Sequence, residues 1–129
     1  MNEIAKEWVD KAESDFDAAE LTLRGGETPI VDAVCFHSQQ CAEKYLKAFL
    51  QENQIRFERR HELIPLLELC LTLDEEFEIL RDSLQSLEQY GVLIRYPGLT
   101  VPVEMAEQAF ESSKHIREFV RDKLKLSTQ

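Results

Sequence analysis

The chain has 129 residues, 43% of them apolar and 31% charged, which is the composition of one globular domain rather than of a disordered tail or a pair of domains. Its formal net charge of -10 excludes general affinity for nucleic acid or an anionic membrane surface. No apolar run approaches the ~20 residues of a membrane span, and the charged start MNEIAKEWVDKAESDF does not read as a signal peptide, so a cytoplasmic protein is expected. With only 4 Gly and 4 Pro, long helices are favoured over many short strands.

Residues 3–23 carry Ile4, Trp8, Ala12, Phe16, Ala19 and Leu23 at helical spacing, while Glu7, Asp10, Glu13, Asp17 and Glu20 fall off that stripe. Arg24-Gly25-Gly26 ends this first helix. Thr28 as N-cap and Pro29 as first residue predict a second helix that runs to about Asn53. It is apolar nearly all round, as a central bundle helix must be, except for a narrow stripe of His37, Gln40, Lys44, Lys47 and Gln51. That stripe is either a solvated face or the lining of a polar interface. His61 is predicted to open a short third helix, HELIPLLELC, with Pro65 in its first turn. Asp74 caps a fourth, with Phe77, Leu80, Leu84, Leu87 and Tyr90 as its stripe and Gly91 as its end. VLIRYPGLTVP reads as a connector, and a last helix runs from Val103 to Leu124. The expected fold is all-α: an up-and-down antiparallel bundle of four long helices plus one short helix, forming a single domain over 1–129.

Charge is uneven along this chain. Residues 1–33 hold nine acids against three bases, and 62–90 hold eight acids against Arg81 alone. Residues 43–61 hold Lys44, Lys47, Arg56, Arg59 and Arg60 against three acids, for a net +2, and 91–129 come to +1. Any anion-binding function is therefore local to those two segments. Cys35, Cys41 and Cys70 have no CxxC spacing and read as buried free thiols. The sequence holds no phosphate-binding glycine loop, no nucleophile elbow and no His pair at metal spacing, so neither a cofactor nor a metal is expected.

Four ordered motifs resemble the HEPN family of small all-helical domains: Trp8 followed by KAESDFDAAELTL, CFHSQQCAEKYLKAFL at 35–50, HELIPLL at 61–67, and RYPG at 95–98 before an Ala-containing last helix. The resemblance implies a helical bundle, commonly a homodimer, associated with nucleotide or RNA binding. It also implies a toxin–antitoxin-type pairing with a minimal nucleotidyltransferase partner. Many members are metal-independent ribonucleases that use an Arg, four to six intervening residues and a His near the last two helices. Here the places counted from Arg95 are Thr100, Val101 and Pro102, none of which transfers a proton as imidazole does. The resemblance therefore carries a non-catalytic binding role, with His37, Gln40, Lys44, His61, Arg95 and Tyr96 as candidate ligand-binding residues in one polar groove beside a dimer axis. The alternative is a ribonuclease using Arg56 and His61, which have the spacing in a different place. In the groove, Arg95 would supply a planar fork for phosphate, Tyr96 a stacking surface and the start of the third helix free N–H groups.

Overall fold

A computed structural model describes residues 1–26, 29–93, 97–98 and 101–127. It is all-helical: α1 (Glu3–Arg24), α2 (Val31–Glu52), α3 (Leu63–Leu71), a 3-10 turn (Glu75–Leu80), α4 (Arg81–Leu93) and α5 (Val103–Lys123). No strand occurs among the described residues. Four helices are long and α3, with nine residues, is short.

α2 is the axis of the bundle and packs against α1, α3, α4 and α5. Val34, Cys35, Cys41, Ala42, Tyr45, Leu46, Ala48, Phe49 and Leu50 are all buried, so most of its near-continuous apolar circumference is used, with Phe36 left exposed. Aromatic pairs fill the spaces between helices. Phe16 of α1 stacks on Phe110 of α5 at 5.1 Å between centroids, and Phe77 sits between Phe49 at 4.4 Å and Phe119 at 5.0 Å. The three cysteines are free and buried. Burial, with Asp32 nearby, pushes the Cys35 thiol up to about 11, and burial pushes Cys70 up to about 12, so both stay protonated at neutral pH.

The element boundaries differ from the sequence expectation at four places, each for a local reason. The first two turns of α1 bury Ala5 and Val9 rather than Ile4 and Trp8, which turn to a surface cleft beside the end of α2. α2 starts at Val31, with extended Ile30 in the N-cap position, so Pro29 precedes the helix; Thr28 lies outside the described residues. α3 starts at Leu63, leaving His61 in the segment before it. The backbone N–H groups of Leu63 and Ile64 donate to Glu88 Oε1 of α4, at 2.5 and 3.1 Å, so a carboxylate from within the chain already caps this end.

The fourth boundary concerns Asp74 and Gly91. Asp74 does cap the next element, accepting from Glu76 N–H at 2.9 Å, but the first six residues after it are 3-10 and the α-helix begins at Arg81. Gly91 is buried inside α4 instead of ending it. A Cβ there would lie 2.5 Å from Gln39 Oε1, so glycine allows the close approach of α4 to α2.

Leu46 is fully buried on the central helix. Leu46→Ala is expected to lower unfolding stability by about 2–5 kcal/mol, measured by urea denaturation followed by circular dichroism at 222 nm.

Candidate functional site

His37, Glu43, Lys44, Tyr45 and Lys47 of α2 are held in three separate clusters, each built around a carboxylate. In the first, Glu13 of α1 accepts from Arg117 of α5 through Nε at 2.7 Å and Nη2 at 2.8 Å, and the Tyr45 hydroxyl of α2 donates to it as well. Arg121 Nη1 donates to Tyr45 Oη at 3.1 Å. The Arg117 guanidinium lies 4.6 Å over the Phe16 ring. This bidentate brace ties α1, α2 and α5 together. Burial alone would raise the Glu13 carboxyl, but hydrogen bonds from Arg117 and Tyr45 and the charges of Arg117 and Arg121 outweigh it and hold the carboxyl below its ordinary range.

The second cluster takes two of the predicted site residues. Asp15 of α1 is buried; His37 Nδ1 lies 2.8 Å from its Oδ1 and Lys44 Nζ donates to its Oδ2 at 2.5 Å. His37 and Lys44 lie about two turns apart on the same face of α2, and one carboxylate meets both. Gln40, half-buried, lies between them in the helix.

The third cluster lies nearer the end of α2. Glu43 is 2% exposed, and its Oε2 accepts from Lys47 Nζ at 2.9 Å and sits 3.3 Å from His61 Nδ1, while its Oε1 has no hydrogen-bond partner among the described residues. The Lys47 ammonium also lies 5.2 Å over Trp8 and 5.7 Å over Phe57. Thus the α2 lysines, which the sequence pattern left either solvated or lining an interface, are both neutralised by carboxylates from within the chain. The His61 side chain is 80% exposed, and a proton on Nδ1 directed to Glu43 leaves Nε2 for a ligand.

Two surface clefts meet at His61. One, of about 640 Å³, lies between the segment before α3 and α4 and is lined by Gln39, Arg59, Arg60, His61, Glu88 and Gly91 among others. The other, of about 870 Å³, lies beside α1 and the end of α2 and includes Trp8, Lys47, Arg56, Phe57, Arg59 and His61. Arg60 pairs with Glu58 at 2.6 Å, whereas Arg56 and Arg59 form no ion pair or hydrogen bond among the described residues. The structure therefore separates the predicted site residues. His61 faces the clefts, with Arg56 sharing one of them; His37 and Lys44 are engaged by Asp15 and do not line either cleft. Arg95 and Tyr96 lie outside the described residues. Sequence reasoning missed Asp15, Glu43, Trp8 and Arg59 as neighbours of the site. A signal existed for Asp15, because it falls between Ala12 and Ala19 on the buried stripe, and for Glu43, which stands four residues before Lys47. Among the described residues no three His, Cys, Asp or Glu side chains are grouped to hold a metal ion, and no described helix is long and apolar enough to cross a membrane.

Comparison with known proteins places this geometry in a family. The profile of the HEPN domain matches residues 5–123. A Methanocaldococcus jannaschii protein named "Putative toxin MJ1304" is 33% identical over 138 residues, covering 94% of this chain and 88% of its own length. A crystal structure of ST0689, an archaeal HEPN homologue, superposes with a TM-score of 0.70 at 25% identity, covering 93% of this chain and 97% of that one.

Because the Glu13 carboxyl is depressed in the folded state, its contribution to stability is present above the carboxyl's ordinary titration range and is lost as pH falls through the lower, folded value. Glu13→Gln is expected to flatten the loss of stability between pH 5 and pH 3, read from urea midpoints at a series of pH values. An unchanged pH profile would contradict the brace.

Proposed function

The chain belongs to the HEPN family, and on that premise we propose that it binds the phosphates of a nucleotide or RNA without cleaving them, as a homodimer working with a minimal nucleotidyltransferase in a toxin–antitoxin-type module. The observation that carries the binding role is the pair Arg56 and Arg59. In a chain of net charge -10, they stand on one short segment, lack partners among the described residues and line a cleft together with His61. A guanidinium left without an internal carboxylate is suited to bidentate phosphate contact. The toxin-type role rests on the name of the M. jannaschii relative. The nucleotidyltransferase pairing rests on the family resemblance.

Support for the homodimer comes from exposed apolar side chains flanking the α2–α4 contact. Phe36, three residues before Gln39, is 52% exposed, and Val92, next to Gly91, is 53% exposed. Both are large apolar groups that a second copy would cover. Arg95 and Tyr96 are included in the proposed site through their motif, close in sequence to the Gly91 and Val92 end of the smaller cleft.

A second reading is favoured by one contact. The buried Glu43 carboxylate fixes His61 through Nδ1, and Arg56 lies on the same cleft, which is the arrangement of a proton-transfer group beside a cation. This is the ribonuclease alternative with Arg56 and His61 as its catalytic pair.

Calorimetric titration with ATP and with inorganic pyrophosphate separates these possibilities from a ligand-free scaffold. The wild type is expected to bind, and Arg56→Ala and Arg59→Ala are each expected to lose roughly ten- to a hundred-fold in affinity, the worth of one charge-assisted contact. Equal affinities in wild type and variants would contradict the assignment. Incubating the same proteins and His61→Ala with RNA is expected to yield no cleavage; cleavage abolished by both Arg56→Ala and His61→Ala would establish the ribonuclease reading.

A further inference from the structure

Ile4 and Trp8 stand one turn apart on α1, and both turn away from the core. Ile4 is 53% exposed and Trp8 half-buried, while Ala5 and Val9 take the buried positions. Half-buried Ile55 and Phe57 line the same cleft of about 870 Å³, and the Phe57 ring meets Trp8 edge to face at 6.2 Å between centroids. An apolar floor is therefore left open to solvent beside the start of α1 and the end of α2, of the kind that a partner's side chain covers.

The charge around this floor has one sign. The sequence holds 25 acids, yet no described Asp or Glu lines the cleft. Arg56 and Arg59 line it without an ion pair or hydrogen bond among the described residues, and Lys47 lines it with its ammonium already on Glu43. That ammonium also lies over the Trp8 and Phe57 rings, at 5.2 and 5.7 Å, so the ring faces beside it are not open to a stacked heterocycle. Half-buried Gln51 and exposed Gln54 complete the lining with amides that both donate and accept.

An open apolar floor, two free guanidinium groups and neighbouring amides suit an acidic peptide with an apolar anchor. Carboxylates pair with guanidinium groups bidentately, side-chain amides bond a peptide backbone, and an aliphatic or aromatic anchor rests against Ile4 and Ile55. A nucleic acid strand fits less well, because its phosphates would continue past the cleft onto exposed Glu3, Glu7 and Asp10 of α1. We propose that this cleft docks an acidic, apolar-anchored segment of a protein partner, which takes Arg56 and Arg59 and so excludes phosphate from them. The inference rests on the phosphate-binding reading of Arg56 and Arg59 and adds a partner that competes for the same groups.

The probe is a fluorescein-labelled hexapeptide, Glu-Asp-Leu-Phe-Glu-Asp, titrated with the full chain and followed by anisotropy. Binding is expected, and pyrophosphate is expected to displace the probe. An analogue with Gln and Asn for its acids, and another with Ser for its Leu and Phe, are each expected to bind at least about tenfold more weakly. Arg59→Ala is expected to weaken both the peptide and pyrophosphate. Ile4 is exposed, so Ile4→Ser keeps the fold; it is expected to weaken the peptide by about three- to tenfold and to leave pyrophosphate affinity unchanged. Equal affinities for the three peptides, or no effect of Ile4→Ser on the probe, would overturn the docking site. Hexauridylate binding tighter than the peptide and insensitive to Ile4→Ser would overturn it in favour of RNA. Pyrophosphate binding without peptide binding would overturn docking and leave the phosphate reading intact, and binding of neither would overturn both.

Discussion

The constraint on which the structure depends is that α2, buried over most of its circumference, still carries His37, Glu43, Lys44 and Lys47. A charge removed from water is strongly destabilising unless it is paired, and breaking such a pair typically costs about 3–5 kcal/mol. The fold meets this with buried carboxylates. Asp15 reaches across from α1 to His37 and Lys44, and Glu43 serves Lys47 from the same helix. Glu13 braces α1 to α2 and α5 through Tyr45 and Arg117. These pairs fix the rotation of α1 and α5 about α2, and apolar stripes alone would leave that rotation less sharply defined.

The same pairing decides where the chain can meet an anion. With its lysines occupied, α2 offers little free positive charge, and the start of α3 is capped by Glu88. Arg56 and Arg59, on the segment between α2 and α3, are cations left without an ion pair among the described residues that also line a cleft. Over the remaining surface, acids of α1 and of the 3-10 turn dominate, but charges more than about 10 Å away are largely screened at physiological salt. A locally cationic cleft is therefore compatible with a strongly acidic protein. His61 belongs to both systems, since Glu43 holds one ring nitrogen while its imidazole stands at the junction of two clefts.

Much of the fold was legible in the sequence because helical periodicity reports burial directly. The stripes of α1, α4 and α5 and the apolar circumference of α2 follow the 3.6-residue repeat, and Leu46, Phe49, Leu84, Phe110 and Ile116 are in the core as that repeat requires. The site was less legible, because pairing between helices has no sequence period. Asp15 lies on the buried stripe of α1, but nothing in the helical period says which α2 side chains its carboxylate meets. Gly91 read as a stop because glycine usually ends helices; its close approach to Gln39 depends on the distance between two helices. The third helix seemed to open at His61, whereas the donors of Leu63 and Ile64 find Glu88, which lies far along the chain. Arg56 and Arg59 were visible as charges, but that they lack a partner among the described residues is a property of the tertiary structure alone.

The central claim is that anion binding belongs to the segment between α2 and α3 and that the polar stripe of α2 is structural. Backbone amide chemical shifts followed during a pyrophosphate titration test it most directly. The account predicts saturable shifts centred on residues 56–61, with His37, Gln40 and Lys44 unmoved. Shifts centred on His37 and Lys44, with 56–61 silent, would contradict it.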